Sequence, residues 1–576
     1  MKRILLFALL LLLLVGCEPS KKGTTIHIVH TTDVHGNLFP YDFINDQPGT
    51  GGYARVSSYI KQLKKGSDEV LLLDGGDILQ GQPSAYYYNF IDTTSTHIYA
   101  QMLEQIGYDA ITIGNHDIET GHSTYDRFVG EIKLPVLGAN VLREGSNSPY
   151  FQPFVIVQKG GRRIAVIGTT MPGLVHNLPR ILWKGMEFVD QVATIKKYIP
   201  EILKSEPDLI VALIHSGGGD KDGERSPMSD NVGYQVAQEI PELDLVLLGH
   251  DHQQLLDSVV HQTGKVTYLL NPANDANAVS HTVVTFHDNN KGKNAITLSP
   301  EIVSLKDTDP DPALLMGFKV QEQAVRDFVS RPVATLTSSF NARSAIFRPT
   351  PFTDLIHQLQ FFVYPEAQVS LTAPLDFDVT LHQGEIAIRD LFKLYRYENT
   401  LYLMRLSGEE IRKTLEESYD RWIQTMDAPE DRLIQIDESK LGGQYLATKN
   451  ASFNFDSASG ITYTVDVTKP KGERVVIEKV GANDFNPATE YKVAINSYRG
   501  NGGGGLLTHG GGIPIEELPS RVIKSTENDL RYYLIDFFDK HNPYTPSVKA
   551  KWSFEPKEWA EQAIKRDSTL LFSQKK

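Results

Sequence analysis

The sequence has one cysteine, Cys17, among 576 residues, and this excludes any disulfide within the chain. Long hydrophobic runs are also scarce. The one extended apolar stretch covers only residues 4–15, which is too short to cross a bilayer as a helix. Positive charge is in deficit, with 57 Lys and Arg against 71 Asp and Glu. The resulting net charge of −14 argues against nucleic-acid polymers as partners, because these select basic surfaces.

The N-terminal residues have the pattern of an export signal. Lys2 and Arg3 precede the apolar stretch, which is typical of a signal peptide. The stretch ends in Leu14-Val15-Gly16-Cys17, which resembles a bacterial lipobox, where the cysteine is acylated and becomes the first mature residue. We therefore expect a signal peptide over 1–16, a lipid anchor on Cys17 and a polar tether over 17–23. This predicts a protein anchored in the bacterial cell envelope, facing the periplasm or the surface. A plain secretory signal with an incidental cysteine is the alternative.

The length and the apolar content of 41% predict at least two globular domains. The strongest boundary signal is a Pro- and Asp-rich stretch over 307–312, followed by apolar residues at helical spacing. We expect a first domain over 24–308, a linker helix over 309–333, a second domain over 334–556 and a tail over 557–576.

Five apolar runs in the first domain each end in side chains that can bind metal ions. These side chains are Asp33 and His35, Asp77, Asn115, His215, and the pair His250 and His252. Helix-like segments lie between the runs, so the domain is expected to be a layered α/β structure. Ligands of such domains gather at the carboxyl ends of the strands, and the five strand ends should therefore meet.

Carboxylate, imidazole and amide ligands without thiolates suit divalent ions such as Zn, Mn, Mg or Fe. Seven ligands exceed the need of a single four-coordinate ion. Two ions that share a carboxylate are the economical arrangement for hydrolysing phosphate esters. A single histidine at a strand end is usually structural, but agreement among five strand ends is hard to reach by chance.

These motifs carry a resemblance to a known family. In chain order the matching motifs are Asp33-Val34-His35-Gly36, Gly76-Asp77, Gly114-Asn115-His116-Asp117, His215 and Gly249-His250-Asp251-His252. Together they resemble the calcineurin-like metallophosphoesterase pattern. The phrase "HTTDVHGN" and the second half of the chain are similar to the exported 5′-nucleotidases. The resemblance implies an α+β protein of two domains: a four-layer α/β/β/α metallophosphoesterase domain, a linker helix and a mixed α/β C-terminal domain.

The resemblance also implies roles for the residues. The implied ligands are Asp33, His35, Asp77 and His252 for one ion, and the bridging Asp77, Asn115, His215 and His250 for the other. A hydroxide activated by the two ions would attack in line. His116 is left as an imidazolium that donates to the phosphoryl or leaving oxygen. The family has an aspartate three residues further on to orient this ring, and here the position is Glu119. Asp117 is an alternative partner, and Glu119 could instead be a helix N-terminal carboxylate.

The C-terminal domain is expected to select the substrate. In the resembling family two aromatic rings sandwich the nucleobase, and the matching residues are Tyr397 and Tyr498. Tyr498 precedes a glycine run, in which Gly502 and Gly503 would let the backbone approach a ligand closely. Either tyrosine could instead be a core residue.

Two departures from the 5′-nucleotidase pattern bear on the substrate. Those enzymes carry an Asn-x-Gly-Gly-Ile-Arg phosphate-binding segment where this chain reads "SLTAPLDFD". They also have an acidic residue in the glycine run, where this chain has Gly504. Both changes favour the related 2′,3′-cyclic-nucleotide 2′-phosphodiesterase/3′-nucleotidases. Arg343, Arg348 and Arg389 are candidate phosphate contacts, although each could equally be a surface arginine.

The sequence thus predicts a lipid-anchored nucleotide phosphohydrolase with two divalent metal ions, which releases phosphate and nucleoside. Its expected partners are nucleotides or related small phosphate esters, and the membrane through acylated Cys17. Enzyme alternatives are a strict 5′-nucleotidase or a hydrolase of UDP-sugars or sugar phosphates. The alternative from another class is a nucleotide-binding surface lipoprotein without catalysis.

Overall fold

The structure is a computed structural model, and it describes residues 24–66, 69–223, 226–287, 295–441 and 446–572. The expected signal peptide, Cys17 and the tether lie outside these ranges. Within them, no helix combines the length and the apolar character that a membrane span requires.

The first domain contains two six-stranded sheets. One sheet consists, in spatial order, of Ala295–Ser304, Ala278–His287, Thr24–Thr31, Glu69–Asp74, Ala110–Thr112 and Val136–Leu137. The other consists of Gln254–Val260, Val266–Pro272, Leu245–Leu248, Leu209–His215, Arg162–Thr170 and Phe154–Lys159. The central strands of both sheets run parallel, and the outer strands include antiparallel pairs.

Apolar side chains from the two sheets meet in a dry layer. Ile28 and Leu71 of the first sheet pack with Val211 and Leu245 of the second, and all four are buried. Parallel strands covered on both faces need near-continuous apolar runs, and runs such as Leu209–His215 have that composition. The sheets are therefore held face to face by the hydrophobic effect.

Helices cover the outer face of each sheet. The longer ones are Tyr53–Lys64, Ile98–Ile106 and His122–Glu131 at the first sheet, and Gln191–Lys204 and Gly233–Glu239 at the second. The Asp190 side chain caps the N-terminus of Gln191–Lys204, where it accepts a hydrogen bond from the Ala193 N–H at 2.7 Å. The layers are thus helix, sheet, sheet and helix, as the resemblance implies.

Two helices, Pro312–Gly317 and Lys319–Ser330, occupy the segment between the domains, where the sequence indicated one. The Asp311 side chain caps the N-terminus of the first helix by accepting hydrogen bonds from the Ala313 and Leu314 N–H groups. Phe318 separates them because its backbone is not helical and its side chain is buried.

The second domain has a five-stranded and a four-stranded sheet. Their strands are Ser457–Ser459, Val369–Thr372, Glu490–Asn496, Leu401–Ser407 and Val522–Ser525, and then Asn483–Asp484, Val475–Val480, Ile461–Asp466 and Lys551–Glu555. The longer helices are Pro351–Val363, Ile388–Leu394, Gly408–Trp422, Leu530–Lys540 and Lys557–Phe572. The last of these lies in the segment set apart above as a tail, and its apolar residues pack into the domain's core.

One hydrophobic cluster continues from the first domain into the second. It contains Tyr53 and Ile98 of the first domain together with Leu391 and Leu534 of the second. The domains therefore pack against each other over buried apolar surface. The predicted fold class, two domains of mixed α/β structure, is confirmed.

Candidate active site

The five strand ends meet at one edge of the paired sheets. Glu69–Asp74 lies between and parallel to Thr24–Thr31 and Ala110–Thr112, so their carboxyl ends point the same way. In the facing sheet Leu209–His215 and Leu245–Leu248 are also parallel neighbours. The loops that follow these strands therefore bring the seven predicted ligands together.

The backbone at this edge is strained. Five predicted ligands have φ between 47° and 72°, which residues other than glycine rarely adopt: Asp33, His35, Asp77, His250 and His252. Backbone hydrogen bonds hold two of these turns, from the Asp33 N–H to the Gly76 carbonyl at 2.9 Å and from the His35 N–H to the Asp77 carbonyl at 3.0 Å. Such strain persists where the surroundings enforce it, which is characteristic of functional sites.

Asp33, His35 and His252 form the first ligand group. Asp33 Oδ1 lies 3.4 Å from His252 Nε2 and 3.9 Å from His35 Nε2. The two imidazole Nε2 atoms are only 2.9 Å apart. Asp33 Oδ1 is buried and accepts no hydrogen bond from the described residues. Lone pairs converge here without enough protons between them, and a divalent cation fits that arrangement.

Asp77, Asn115, His215 and His250 form the second group. Asn115 Oδ1 lies 3.1 Å from His215 Nε2 and 3.0 Å from His250 Nδ1. Asp77 Oδ2 lies 3.1 Å from the same His215 nitrogen. Carboxylate, amide and imidazole atoms therefore face one point, in the mixed N/O set that the sequence predicts.

Second partners orient two of the imidazoles. His215 Nδ1 donates to the Gly75 carbonyl at 2.7 Å, and His35 Nδ1 donates to the Gln80 carbonyl at 3.2 Å. In the neutral imidazole these bonds place the proton on Nδ1, so that Nε2, which faces the ligand groups, has a lone pair for a metal ion. Backbone carbonyls commonly fix metal-binding histidines in this way.

Asp33 lies close to members of both groups. Asp33 with His35 and His252, and Asp33 with Asp77 and His215, each place their ligand atoms within 4.8 Å of one another. Burial acts to raise the pKa of Asp33, but His215 and His252 outweigh it and lower the pKa to about 2. Asp33 therefore stays ionised at neutral pH, as a metal ligand must.

His116 lies beside the ligands with its own carboxylate partner. Its Nδ1 is 2.5 Å from Glu119 Oε2, and its ring lies edge-on to that of His35 with 5.5 Å between centroids. Burial opposes protonation of His116, but the Asp77 and Glu119 carboxylates raise its pKa to about 10. The longer glutamate side chain thus reaches the ring, which is held as an imidazolium.

The Asp117 carboxylate binds backbone N–H groups and forms no hydrogen bond with the His116 ring in the described part of the chain. Its Oδ1 accepts from the Ile78 and Leu79 N–H groups, each at 2.8 Å. Its Oδ2 accepts from the Asp77 N–H at 2.9 Å and the Gly114 N–H at 2.8 Å. All its close partners are backbone donors, so Asp117 fixes the loop that carries Asp77 and leaves Glu119 as the partner of His116.

Tyr498 lies at the start of the glycine run in the second domain. Its ring packs edge-to-face with Phe453 at 6.2 Å, and a Cβ on Gly503 would fall 2.5 Å from it. Gly502 has a φ of 104°. The Asn501 side chain donates to the Asn177 carbonyl of the first domain at 3.5 Å, so the glycine run reaches the catalytic domain.

Arg499 holds the glycine run from behind. Its guanidinium forms a two-pronged pair with Asp456, with bonds of 3.0 and 3.1 Å, and donates to the Gly503 carbonyl. A Cβ on Gly504 would fall 2.0 Å from Asn454 Oδ1 and 2.4 Å from Arg499 Nη1. The place of the family's acidic residue is therefore filled by neighbouring side chains.

Tyr397 packs, partly buried, against the cluster shared by the domains. The next residue, Glu398, is buried and lies 3.0 Å from Arg531 Nη2. The Arg531 guanidinium in turn lies over the ring of Tyr86 in the first domain, 4.7 Å from its centroid. Sequence reasoning missed this pair, because no local pattern links residues so far apart in the chain.

The three candidate phosphate-binding arginines are each paired with a carboxylate. Arg343 bonds Asp378 at 2.6 Å, Arg348 bonds Glu561 at 3.2 Å, and Arg389 bonds Asp46 across the domain boundary. Their positive charges are thus balanced within the protein.

Comparisons with known proteins identify the family of the chain. The family model for calcineurin-like phosphoesterases matches residues 26–254, and that for the 5′-nucleotidase C-terminal domain matches residues 332–509. The chain belongs to the calcineurin-like phosphoesterases that carry a 5′-nucleotidase C-terminal domain. The predicted activity class, a phosphoric ester hydrolase, is confirmed by this membership. Members of the family use divalent metals, and the two ligand groups provide for them.

Two relatives of this nucleotidase-family chain are similar to it over most of their length. A Haemophilus influenzae 2′,3′-cyclic-nucleotide 2′-phosphodiesterase/3′-nucleotidase is 25% identical, over 93% of this chain and 88% of the relative. A Yersinia enterocolitica protein of the same name is 25% identical, over 87% and 85%. The crystal structure of a candidate 5′-nucleotidase from Staphylococcus aureus, at 23% identity, shares the fold with a TM-score of 0.77 and covers 92% of this chain and 100% of its own.

Proposed function

We propose that this protein is a lipid-anchored nucleotide phosphohydrolase of the bacterial cell envelope, which uses two divalent ions. The observation that carries the proposal is the pair of overlapping ligand groups beside the His116–Glu119 pair. A nucleotide-binding protein without catalysis would have no need for a strained ligand cluster and an imidazolium at one point. The same features speak against that alternative.

The residues divide into ligands and proton carriers. Asp33, His35 and His252 would hold one ion, and Asp77, Asn115, His215 and His250 would hold the other. Two bound divalent ions supply a nucleophile at neutral pH and neutralise phosphoryl charge. The chain's own contribution is to hold the substrate and to move a proton.

His116 is placed to give that proton. As an imidazolium it donates to the ester oxygen that leaves, so that the product departs as a neutral hydroxyl. Before the transfer, Glu119 stabilises the positive charge of the ring and accepts a hydrogen bond from Nδ1. This leaves Nε2 to face the substrate. General acid help of this kind is worth about 10²–10⁴-fold in rate.

The preferred substrates we propose are 2′,3′-cyclic nucleotides and 3′-nucleotides. Two relatives are named for those activities. Position 504 also supports this choice, because the Asn454 and Arg499 side chains lie where the acidic side chain of the 5′-nucleotidases would begin. Without that side chain the ribose is freer to present its 2′,3′ edge. Tyr498 would stack on the base and read its face, so base preference should be weak.

Steady-state kinetics on four substrates test this proposal: 2′,3′-cyclic AMP, 3′-AMP, 5′-AMP and p-nitrophenyl phosphate. We expect comparable or better turnover on the first two than on 5′-AMP. Tyr498→Ala should raise KM for the nucleotides about five- to hundredfold, since stacking is worth about 1–3 kcal/mol, while sparing p-nitrophenyl phosphate. Tyr532→Ala, at a tyrosine that is 50% exposed, is the matched control.

Each other outcome has a definite meaning. Strong hydrolysis of 5′-AMP without cyclic activity would make the protein a strict 5′-nucleotidase. Equal loss on all four substrates after Tyr498→Ala would assign Tyr498 to the fold. Full activity after dialysis against a chelator, or in Asp77→Asn, would overturn the two-metal mechanism.

A further inference from the structure

A carboxylate that binds a metal ion through one oxygen is fixed in its orientation when hydrogen-bond donors hold the other oxygen. Without such donors the carboxylate can rotate, and the geometry of the site is lost. Asp33 is fully buried, so these donors have to come from the protein itself. The groups that supply them would set the geometry of the first ligand group.

The two carboxylate oxygens of Asp33 have different surroundings. Oδ2 accepts hydrogen bonds from the Thr32 hydroxyl at 2.6 Å and from the His250 N–H at 2.9 Å. Oδ1 accepts none from the described residues, and it lies 3.4 Å from His252 Nε2 and 3.9 Å from His35 Nε2. The protein thus occupies one oxygen and leaves the other facing the imidazoles.

The Thr32 hydroxyl is enclosed by two of the loops that carry ligands. Thr32 is 1% exposed. A Cβ on Gly75, in the loop that leads to Asp77, would fall 2.5 Å from Thr32 Oγ1. A Cβ on Gly249, directly before His250, would fall 2.2 Å from the same oxygen. The hydroxyl therefore lies between a loop of the first sheet and a loop of the second, where it has little room to turn away from Asp33.

We propose that Thr32 is a positioning residue, whose hydroxyl holds Asp33 so that a single oxygen, Oδ1, is offered to a metal ion. This inference rests on the proposed function and adds to it a residue that is neither a ligand nor a proton carrier. A bond of 2.6 Å is in the range of strong hydrogen bonds between a hydroxyl and a carboxylate. The other donor to Oδ2 is the backbone of His250, so Thr32 is the partner that a substitution can remove.

A role in packing alone would make the opposite demand on the Thr32 side chain. Valine keeps the branched shape of threonine but cannot donate a hydrogen bond, whereas serine keeps the donor and loses the methyl group. If the hydrogen bond to Asp33 matters, valine should be the harmful substitution. If only the packing matters, serine should be the harmful one.

The test measures the Mn²⁺ affinity of the full chain by competition with a chelating dye, in the wild type, Thr32→Val and Thr32→Ser. Loss of a residue that hydrogen-bonds a metal ligand typically lowers metal affinity about ten- to a hundredfold. We therefore expect Thr32→Val to raise the dissociation constant of at least one Mn²⁺ ion by that factor, while Thr32→Ser stays close to the wild type. The Mn²⁺ concentration that gives half-maximal hydrolysis of p-nitrophenyl phosphate should shift in parallel.

Thr267→Val is the matched control, because Thr267 is a buried threonine of the same domain whose hydroxyl donates to the Leu243 carbonyl at 2.8 Å. Its Mn²⁺ affinity should equal that of the wild type. If Thr32→Val does not fold, Thr32→Ala takes its place and should show the same loss, since alanine removes the donor without adding bulk.

Two results would overturn the inference. One is a folded Thr32→Val protein that binds Mn²⁺ as tightly as the wild type. The other is a Thr32→Ser protein that loses as much affinity as Thr32→Val, because the hydroxyl would then not be the group that matters. A wild type that binds no Mn²⁺ and hydrolyses no phosphate ester would instead contradict the proposed function, so the two failures are distinguishable.

Discussion

His116 and Glu119 are brought together by one turn of helix. Asn115–Glu119 follows directly after the Ala110–Thr112 strand, so residues three apart lie on the same side. The Asp77 carboxylate raises the pKa of the His116 imidazole against the effect of burial, and the Glu119 carboxylate raises it further. The imidazolium therefore depends both on Asp77, which lies far away in the chain, and on the local partner Glu119.

His116→Ala should retain bound metal but lose about 10²–10⁴-fold in kcat, because general acid help is worth that much. Kinetics and metal analysis of the same preparation measure both quantities. His287→Ala, at an exposed histidine bonded only to Thr297 among its described contacts, is the control and should change neither. Loss of metal in His116→Ala would mean that His116 is a ligand.

Glu119→Gln should lower kcat less than His116→Ala, because the ring remains and only its charge partner is lost. The alkaline limb of the rate profile should move to lower pH in this variant, since a carboxylate no longer raises the pKa of His116. An unchanged profile would mean that Glu119 does not hold the proton of His116.

The glycine run is an element whose shape depends on a side chain outside it. Arg499 and Asp456 are 2% and 4% exposed, and the arginine also donates to the Phe453 carbonyl at 2.8 Å. Arg421 donates to the Gly504 carbonyl. The loop has no regular helix or sheet to pair its backbone carbonyls. The side chains of Arg499 and Arg421 supply hydrogen bonds to two of these carbonyls instead.

Arg499→Met should lower the free energy of unfolding by about 3–5 kcal/mol, because Asp456 is left as an unpaired buried charge. Denaturant titration measures this change. KM for 3′-AMP should rise as Tyr498 loses support, with p-nitrophenyl phosphate less affected. The exposed Arg343–Asp378 pair supplies the comparison, and Arg343→Met should cost less than about 1 kcal/mol. If the two substitutions lower the free energy of unfolding equally, Arg499 has no special role in stabilising the glycine run.

At the scale of the molecule, a buried carboxylate lies where the domains meet. Burial raises the pKa of Glu398, Arg531 opposes the rise, and Glu119 adds to it, which gives about 7 against an ordinary value of 4.5. The folded state therefore holds a proton that the unfolded chain releases at lower pH. Stability from this group is fully present below pH 4.5 and is lost as the pH rises toward 7.

Glu398→Gln removes this ionisation while keeping the shape of the protonated acid. Relative to the variant, the metal-free wild type should lose roughly 3 kcal/mol at most between pH 4.5 and 7. Urea unfolding at several pH values follows the difference. Glu301→Gln, at a glutamate that is 60% exposed, is the control. If the wild type gains stability over this range, Arg531 dominates and the pKa of Glu398 is lowered.

The anchoring proposal also belongs to the whole molecule. Cys17→Ser should move the protein from the membrane fraction to the soluble fraction, because no acyl chain can then be attached. Fractionation with immunodetection measures the change, and activity on p-nitrophenyl phosphate should be unaltered. Membrane association that persists in the variant would remove the lipid anchor from the proposal.

The sequence alone predicted the candidate ligands and the fold class, and the fold class is confirmed. Apolar runs ending in Asp, His and Asn are local patterns, and parallel strands bring their carboxyl ends to one edge whatever the rest of the chain does. The family resemblance likewise indicated Glu119 as the partner of His116, with Asp117 as an alternative.

Only the tertiary structure decided how those residues are supported. It shows that Asp117 binds four backbone N–H groups, that Arg499 and Asn454 fill the space beside Gly504, and that Arg531 reaches Glu398. The bond from the Gly114 N–H to Asp117 is local, and Arg499 lies near Gly504 in the chain. The other contacts join segments whose separation in the chain carries no periodic signal, and the packing within each domain sets them.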